Sequence, residues 1–444
     1  MFIPQCENLV EICQQRRAKL AKLIDFPVLL WAGDRPCRNF VANQYAFRAS
    51  SHFLYFAGLP IEKVVILLDG GKLTLFCDDA DPNSALWHGE QPSAKKLGEI
   101  IGADQVYPLD VLPKFANNCA TIPLNNPFTN QQQASILQRS LSPSNHLTGI
   151  DLQLAEAIVQ LRLTHDAGAI AQLRQAAQVT VQAHRAGQEA VLTAKTEASV
   201  RATMEAVIMA ANMTTAYNSI VTVHGEVLHN EQYHHSLQPG DLLLADVGAE
   251  TNLGWAGDVT RTWPVSGKFS ATQQVIYDLV LSVHDACIRT VAPGVEYQDI
   301  HLQAEYLLTE GLVNLGILRG EVNRVVERHA QALFFPHGVG HLLGLDVHDM
   351  EDLGDLAGYA PGRKRSDRPS LKFLRLNRPL QAGMVVTIEP GFYQIPAILN
   401  DPNIRSEYSD LVNWQELAKF ADVRGIRIED DVLVTANGYE VLTA

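Results

Sequence analysis

Residues 242–265 read LLLADVGAETNLGWAGDVTRTWPV. An apolar run, a turn around Thr251–Gly254 and a returning run predict a β-hairpin. Asp246 stands on the outgoing arm and Asp258 on the return. In an antiparallel hairpin the two can face each other. Aspartate is also common in turns and at strand edges, so the pair alone leaves a solvated face equally open.

Three further segments place ionisable groups among apolar ones. Residues 336–349, PHGVGHLLGLDVHD, crowd His337, His341 and His348 together. His337 and His341 have the spacing of two zinc ligands on one helical turn, but that signature needs a Glu after the first His. Here Gly338 and Gly340 intervene, and each glycine costs a helix about 1 kcal/mol relative to Ala. A zinc helix is thereby excluded, and the histidines need partners from elsewhere. In MVVTIEPGFY, 384–393, Glu389 ends a β-branched run; it is paired or metal-bound if buried, and simply solvated if not. In GIRIEDDVLVT, 425–435, alternation puts Ile426, Ile428, Val432 and Val434 on one face. Arg427, Glu429 and Asp431 fall on the other, so Arg427 and Glu429 lie side by side. A surface ion pair of little energetic weight is the plain alternative. Asp430 interrupts the apolar face, as a bulge or strand edge does.

Together these segments offer four carboxylates and an imidazole. That is too many donors for one metal with an open position, and it suits two metals sharing carboxylates. Oxygen-dominated ligation points to two divalent ions such as Mn²⁺, with Co²⁺ or Zn²⁺ as alternatives.

The 444-residue chain can bury a large core and has room for two or three domains. Its net charge of −14 argues against nucleic acid or an anionic membrane surface as partner, since neutralising phosphates needs a basic face. The six cysteines include no CxxC pair, which suits a reducing cytoplasm. The start, MFIPQCENLVEICQQRRAKL, lacks the basic end and apolar run of a signal peptide. No apolar stretch is long enough to span a bilayer. A cytoplasmic location is expected.

Residues 9–24 have helical periodicity, 27–33 and 52–60 read as buried strands, and 64–79 as a hairpin with Gly70-Gly71 in the turn. A polar Asn/Pro/Ser-rich passage at 123–147 leads into long Ala/Leu/Gln-rich helices. The C-terminal part alternates strands (242–248, 258–265, 384–390, 426–434) with helices (272–291 and 297–316), an α+β pattern. The boundary falls near 150, giving domains 1–152 and 153–444.

The motif order DVGAE…GWAGDVTRTWPVSGKF, PHGVGHLLGLDVHD, VVTIEPGFY, GIRIEDD resembles the pita-bread metallopeptidases, a family that includes aminopeptidase P and prolidase. The likeness covers about residues 160–444. FRASSHFLYFAGLP and ALWHGEQP are similar to the N-terminal domain of aminopeptidase P and prolidase. The resemblance implies an α+β architecture: an N-terminal αβ domain of the aminopeptidase P type, then a catalytic pita-bread domain. It implies metal ligands Asp246, Asp258, His341, Glu389 and Glu429, with Asp258 and Glu429 bridging. It further implies Glu389 as proton shuttle, His348 as donor to the developing oxyanion, and His337 and His229 in the substrate pocket. Tyr217 resembles a tyrosine near the first aspartate ligand, and Arg427 is expected to orient Glu429. The expected state is a homodimer.

DRPSLKFLRLNRPLQAGMVVTIEPG, 367–391, is similar to the prolidase stretch before the glutamate ligand. Arg375 then matches the arginine that holds the C-terminal carboxylate of a dipeptide, a task that suits the guanidinium fork. The expectation is a dipeptidase that cleaves Xaa-Pro through a metal-bridging hydroxide. The alternatives are aminopeptidase P acting on longer peptides with proline second, and a relative that has lost catalysis. The sequence departs from the family in three places: one extra residue between Asp246 and Asp258, a shortened loop at 218–230, and Asn230 after His229. His224 competes with His229 for the substrate role.

Overall fold

Gly70 and Gly71, both at positive φ, close the expected hairpin: Val65–Asp69 pairs antiparallel with Lys72–Phe76. The computed structural model describes residues 8–444. Cys6 and the first part of the stretch read as lacking a signal peptide lie outside them. The chain divides into two units. The first holds the chain up to Leu163 together with Asn252–Gly254 and Met350–Ala357; the second holds the remainder.

In the first unit Val28–Trp31, Val65–Asp69, Lys72–Phe76 and Gln105–Tyr107 form a four-stranded sheet. Only the last pairing is parallel. Leu29, Trp31, Val65, Leu67, Phe76 and Leu112 form its core. Residues 52–60, expected as a strand, instead contain the helix Ser51–Ala57, buried along its whole length. A short apolar run has no periodicity to separate strand from helix. Gly58 at φ +80° ends the helix by donating its N–H to Leu54 O. The polar passage at 123–147 contains the helix Pro127–Leu137, which sequence reading missed; Asn126 caps it through the N–H groups of Phe128 and Thr129.

In the second unit Ile220–Thr222, Leu242–Asp246 and Thr260–Pro264 form an antiparallel sheet. Leu243, Ala245, Val247 and Trp263 pack from it against Val179, Ala183, Val200 and Met204, which belong to the helices Ala167–Ala190 and Glu197–Ala210. Val385–Ile388, Asp430–Thr435 and Gly438–Val441 form a second antiparallel sheet. Gly391–Tyr393 pairs with Gly425–Arg427. The strand expected over 426–434 is therefore broken at Ile428–Glu429, and its halves join different partners. A bridge between Thr260 and Glu429 links the first sheet to this break. The helices expected at 272–291 and 297–316 run Ala271–Thr290 and Tyr297–Asn314. Among the described residues no helix is long and apolar enough to cross a membrane.

Candidate metal centre

Asp246 is the last residue of its strand and lies opposite Thr260. Beyond that pair Val247 N–H donates to Val259 O at 3.1 Å, which carries Asp258 to the same end of the hairpin. Gly248 and Gly257 make this crossing sterically feasible: a Cβ on Gly248 would lie 1.8 Å from the Gly257 carbonyl oxygen. Tyr217 Oη sits between the two carboxylates, 2.6 Å from Asp246 Oδ1 and 2.5 Å from Asp258 Oδ1. The two aspartates of the opening hairpin are thus neighbours, and both are buried.

The 336–349 segment passes the cluster as an irregular loop with bends, not as a helix. Gly340, at φ +152°, has no room for a side chain; a Cβ there would lie 2.2 Å from Thr387 O. The neighbouring His341 exchanges backbone bonds with the strand that leads to Glu389, through Thr387 N–H to His341 O at 3.0 Å. Its Nδ1 faces Leu342 O at 3.0 Å. A carbonyl only accepts, so the proton sits on Nδ1 and Nε2 turns its lone pair inward. Nε2 lies 3.4 Å from Asp258 Oδ2 and 3.8 Å from Glu389 Oε1. Glu429, at the break between strands, exchanges backbone contact with Thr260 and accepts from Thr260 Oγ1 at 2.6 Å. Asp258, His341 and Glu429 each offer a donor atom within 4.8 Å of the others.

The guanidinium of Arg427 holds Asp246 directly, with Nη2 2.5 Å from Oδ2, and reaches Glu429 through the Thr260 hydroxyl, which donates to Glu429. Nε donates to Thr260 Oγ1 at 3.0 Å and Nη1 to Tyr393 Oη at 3.2 Å. The strand break is why the link to Glu429 is indirect: residues 427 and 429 do not share one regular alternation. Arg427 borders the cavity, but these three bonds go to protein groups. Tyr393 Oη continues the chain to His337 Nε2 at 2.8 Å, and His337 Nδ1 donates to Gly338 O at 2.8 Å. With its one proton on Nδ1, a neutral His337 accepts from the Tyr393 hydroxyl at Nε2. Burial, followed by the charge of Arg427, pushes its pKa down to about 3.

A cavity of about 550 Å³ opens over the cluster. All the residues expected to ligate metal or contact substrate border it: Tyr217, His229, Asp246, Asp258, His337, His341, His348, Arg375, Glu389, Arg427 and Glu429. His348 lies edge-on to His341, with ring centroids 4.2 Å apart. His224, the competitor of His229, does not border it; Glu226 and Arg424 bind it instead. Sequence reading missed Thr260, Tyr393 and Phe373, and placed Asp431 beside Glu429 without a role. Asp431 accepts the Asp258 N–H at 3.1 Å, and Phe373 is in the cavity wall. Tyr393 lay inside a quoted motif, but only the strand pairing reveals its partners.

The site concentrates negative charge where water cannot screen it. Burial, and then Asp246, raise Asp258 to about 8. Burial also raises Glu389, to about 7, against the pull of His341 and Arg427. Glu429 is pushed well up by burial and by Asp258. One phenolic proton on Tyr217 can serve only one carboxylate at a time. Its two close contacts therefore require a proton or a cation beside the second. Converging carboxylates, an imidazole nitrogen aimed among them and an excess of negative charge fit divalent cations.

Residues 171–436 match Metallopeptidase family M24, and residues 13–122 match the aminopeptidase P N-terminal domain. A probable Xaa-Pro aminopeptidase of Podospora anserina is 33% identical over 417 residues, 89% of this chain and 85% of the relative. Pseudomonas aeruginosa aminopeptidase PepP superposes with a TM-score of 0.79 at 29% identity, over 99% of this chain and 95% of that one. An Escherichia coli aminopeptidase P variant in complex with substrate gives 0.79 at 27% identity, over 98% and 95%. The catalytic half has the pita-bread fold, and fold and site together define a metal-dependent hydrolase. The chain belongs to metallopeptidase family M24, with the aminopeptidase P domain preceding the catalytic one.

Proposed function

We propose that the protein is an Xaa-Pro aminopeptidase that releases the N-terminal residue before proline from peptides longer than two residues. The observation that carries this reading is the near full-length likeness to Xaa-Pro aminopeptidases. The chemical setting is a cavity walled by five potential ligands. Asp246, Asp258, His341, Glu389 and Glu429 would hold two divalent cations, and the oxygen-rich donor set favours Mn²⁺. Such ions lower the pKa of water and polarise the scissile carbonyl.

The chain's own residues supply the rest. The Xaa-Pro nitrogen carries no hydrogen, and like any amide nitrogen it must gain a proton as the bond breaks. Glu389 is the carboxyl that the family resemblance assigns to carry it, and it borders the cavity. His348, neutral because burial and His341 depress its pKa, donates N–H to the developing oxyanion. His229 and His337 pack around the proline side of the substrate. Arg427 and Tyr217 fix Asp246 and the spacing of the two aspartates.

A second reading is the Xaa-Pro dipeptidase, and Arg375 is the observation that favours it. A guanidinium in the cavity wall suits a substrate that ends in a carboxylate directly after proline. Comparing kcat/KM for Ala-Pro with that for Ala-Pro-Ala, with added Mn²⁺, separates the two. Efficient cleavage of Ala-Pro-Ala supports the aminopeptidase. Hydrolysis of Ala-Pro alone, weakened in Arg375→Ala with metal content retained, replaces it with the dipeptidase.

A further inference from the structure

In the second unit the chain forms a closed loop between Tyr359 and Asn377. The two ends pair through Ala360 N–H to Asn377 O at 3.0 Å and Asn377 N–H to Gly358 O at 2.8 Å. Between them the chain forms an arm with no helix or strand. Its tip segment places Phe373 and Arg375 in the cavity wall. On the near side Arg365 Nη1 donates to the Lys372 and Leu374 carbonyls at 3.1 and 2.9 Å.

The other side of the arm is fastened to the core. Arg368 Nη2 lies 3.4 Å from Glu305 Oε2, and its Nε donates to His329 Nδ1 at 3.1 Å. His301 Nε2 faces Ser370 O at 2.9 Å and lies 3.3 Å from Glu305 Oε1. His301, Glu305 and Ser370 are fully buried. Glu305 and His301 sit one turn apart on the inward face of Tyr297–Asn314, where a helix normally buries aliphatic side chains. A carboxylate is retained at such a depth only when paired, and its charged partner across the gap is Arg368 of the arm.

We propose that Glu305 and Arg368 form a pin, buried at its Glu305 end, that sets the position of the 366–375 segment. They are thereby positioning residues for recognition of the substrate's C-terminal side by Phe373 and Arg375. The inference rests on reading the cavity as the peptide site; the pin itself does not.

Arg368→Ala, Glu305→Gln and the double variant test this. Arg368 is partly exposed, with side-chain accessibility of 30%, so Arg368→Ala keeps the test open where Glu305→Gln fails to fold. Arg368 precedes Pro369, so its removal deletes no tryptic site. Two readouts apply: KM and kcat for Ala-Pro and Ala-Pro-Ala, and the rate of tryptic cleavage after Arg365 and Lys372 in the native protein. Expected are faster cleavage of the arm and a KM raised about ten- to a hundredfold on the peptide whose C-terminal end reaches Arg375. Expected too is a kcat within about threefold, and a double variant no worse than either single one. Unchanged cleavage of the arm would overturn the pin. Faster cleavage with unchanged KM, or a fall in kcat together with metal content, would overturn its role in recognition. A protein that cleaves neither peptide refutes the functional reading, while the tryptic rates still decide the pin.

Discussion

Arg427 and Asp246 form a buried ion pair, Nη2 to Oδ2 at 2.5 Å, with both side chains nearly withdrawn from solvent. Burial works against the charge on Arg427, but Tyr393, Asp246, Glu429 and Glu389 together raise its pKa. It therefore remains the fixed positive charge beside the acidic cluster. Removing one partner of such a pair leaves the other charged in a low dielectric. Arg427→Ala is expected to destabilise the protein by about 3–5 kcal/mol, measured by denaturant unfolding. Arg427→Lys keeps the charge but lacks the fork that reaches Asp246, Thr260 and Tyr393 at once. It should retain more stability than the alanine variant yet lose about ten- to a hundredfold in activity.

Tyr217 bridges the two aspartates of the hairpin. Tyr217→Phe removes one hydroxyl and little volume, so the fold should persist. Metal affinity, read by isothermal titration, is expected to fall about ten- to a hundredfold. Unchanged affinity would mean that the phenol is not needed to space Asp246 and Asp258.

The acidic cluster should oppose folding in the absence of cations. Asp258 and Glu429 are raised chiefly by burial and next by a neighbouring carboxylate, so each charge is paid for in stability at neutral pH. Asp258→Asn is expected to lower activity by more than about a hundredfold, beyond the cost of losing a supporting group alone. The same substitution should raise the melting temperature of EDTA-treated protein at pH 8. A lower melting temperature would contradict the repulsion argument.

His184 gives a pH dependence outside the metal cluster. Its Nε2 donates to Val247 O at 3.0 Å. Burial, and then Arg261, push its pKa from 6.5 down to about 4. The folded-state value lies below the unfolded one, so the unfolded chain binds the additional proton. The contribution is fully present above pH about 6.5 and is lost as pH falls toward about 4, amounting to about 3 kcal/mol. His184→Gln keeps a donor for Val247 O without titrating. The difference in unfolding free energy between wild type and variant should therefore shift in favour of the variant across that window. A difference that stays flat with pH would refute the assignment.

Much of the site was legible in the chain because its chemistry is carried by residues that apolar strands reject. Asp246, Asp258, Glu389 and Glu429 each interrupt or end a strand pattern, and the glycines beside His341 exclude a helix by residue type alone. The N-terminal hairpin was equally plain, since Gly70-Gly71 allows few other turns. The helix Ser51–Ala57 was not legible, because the short apolar run from Phe53 to Ala57 satisfies either period. The choice was made by its surroundings and by the cap at Gly58.

The sequence by itself determined the residue types of the cluster, their order and the hairpin that carries the first two. Those features depend on local propensity and spacing. Only the tertiary structure decided which group answers which. The break at Ile428–Glu429 leaves Arg427 bonded directly to Asp246 and to Glu429 only through Thr260, and the strand pairing of Gly391–Tyr393 with Gly425–Arg427 brings Tyr393 between Arg427 and His337. Partners separated by up to 181 positions leave no periodic trace in the chain. Their contacts follow from sheet register and burial, which act only once the second unit has packed.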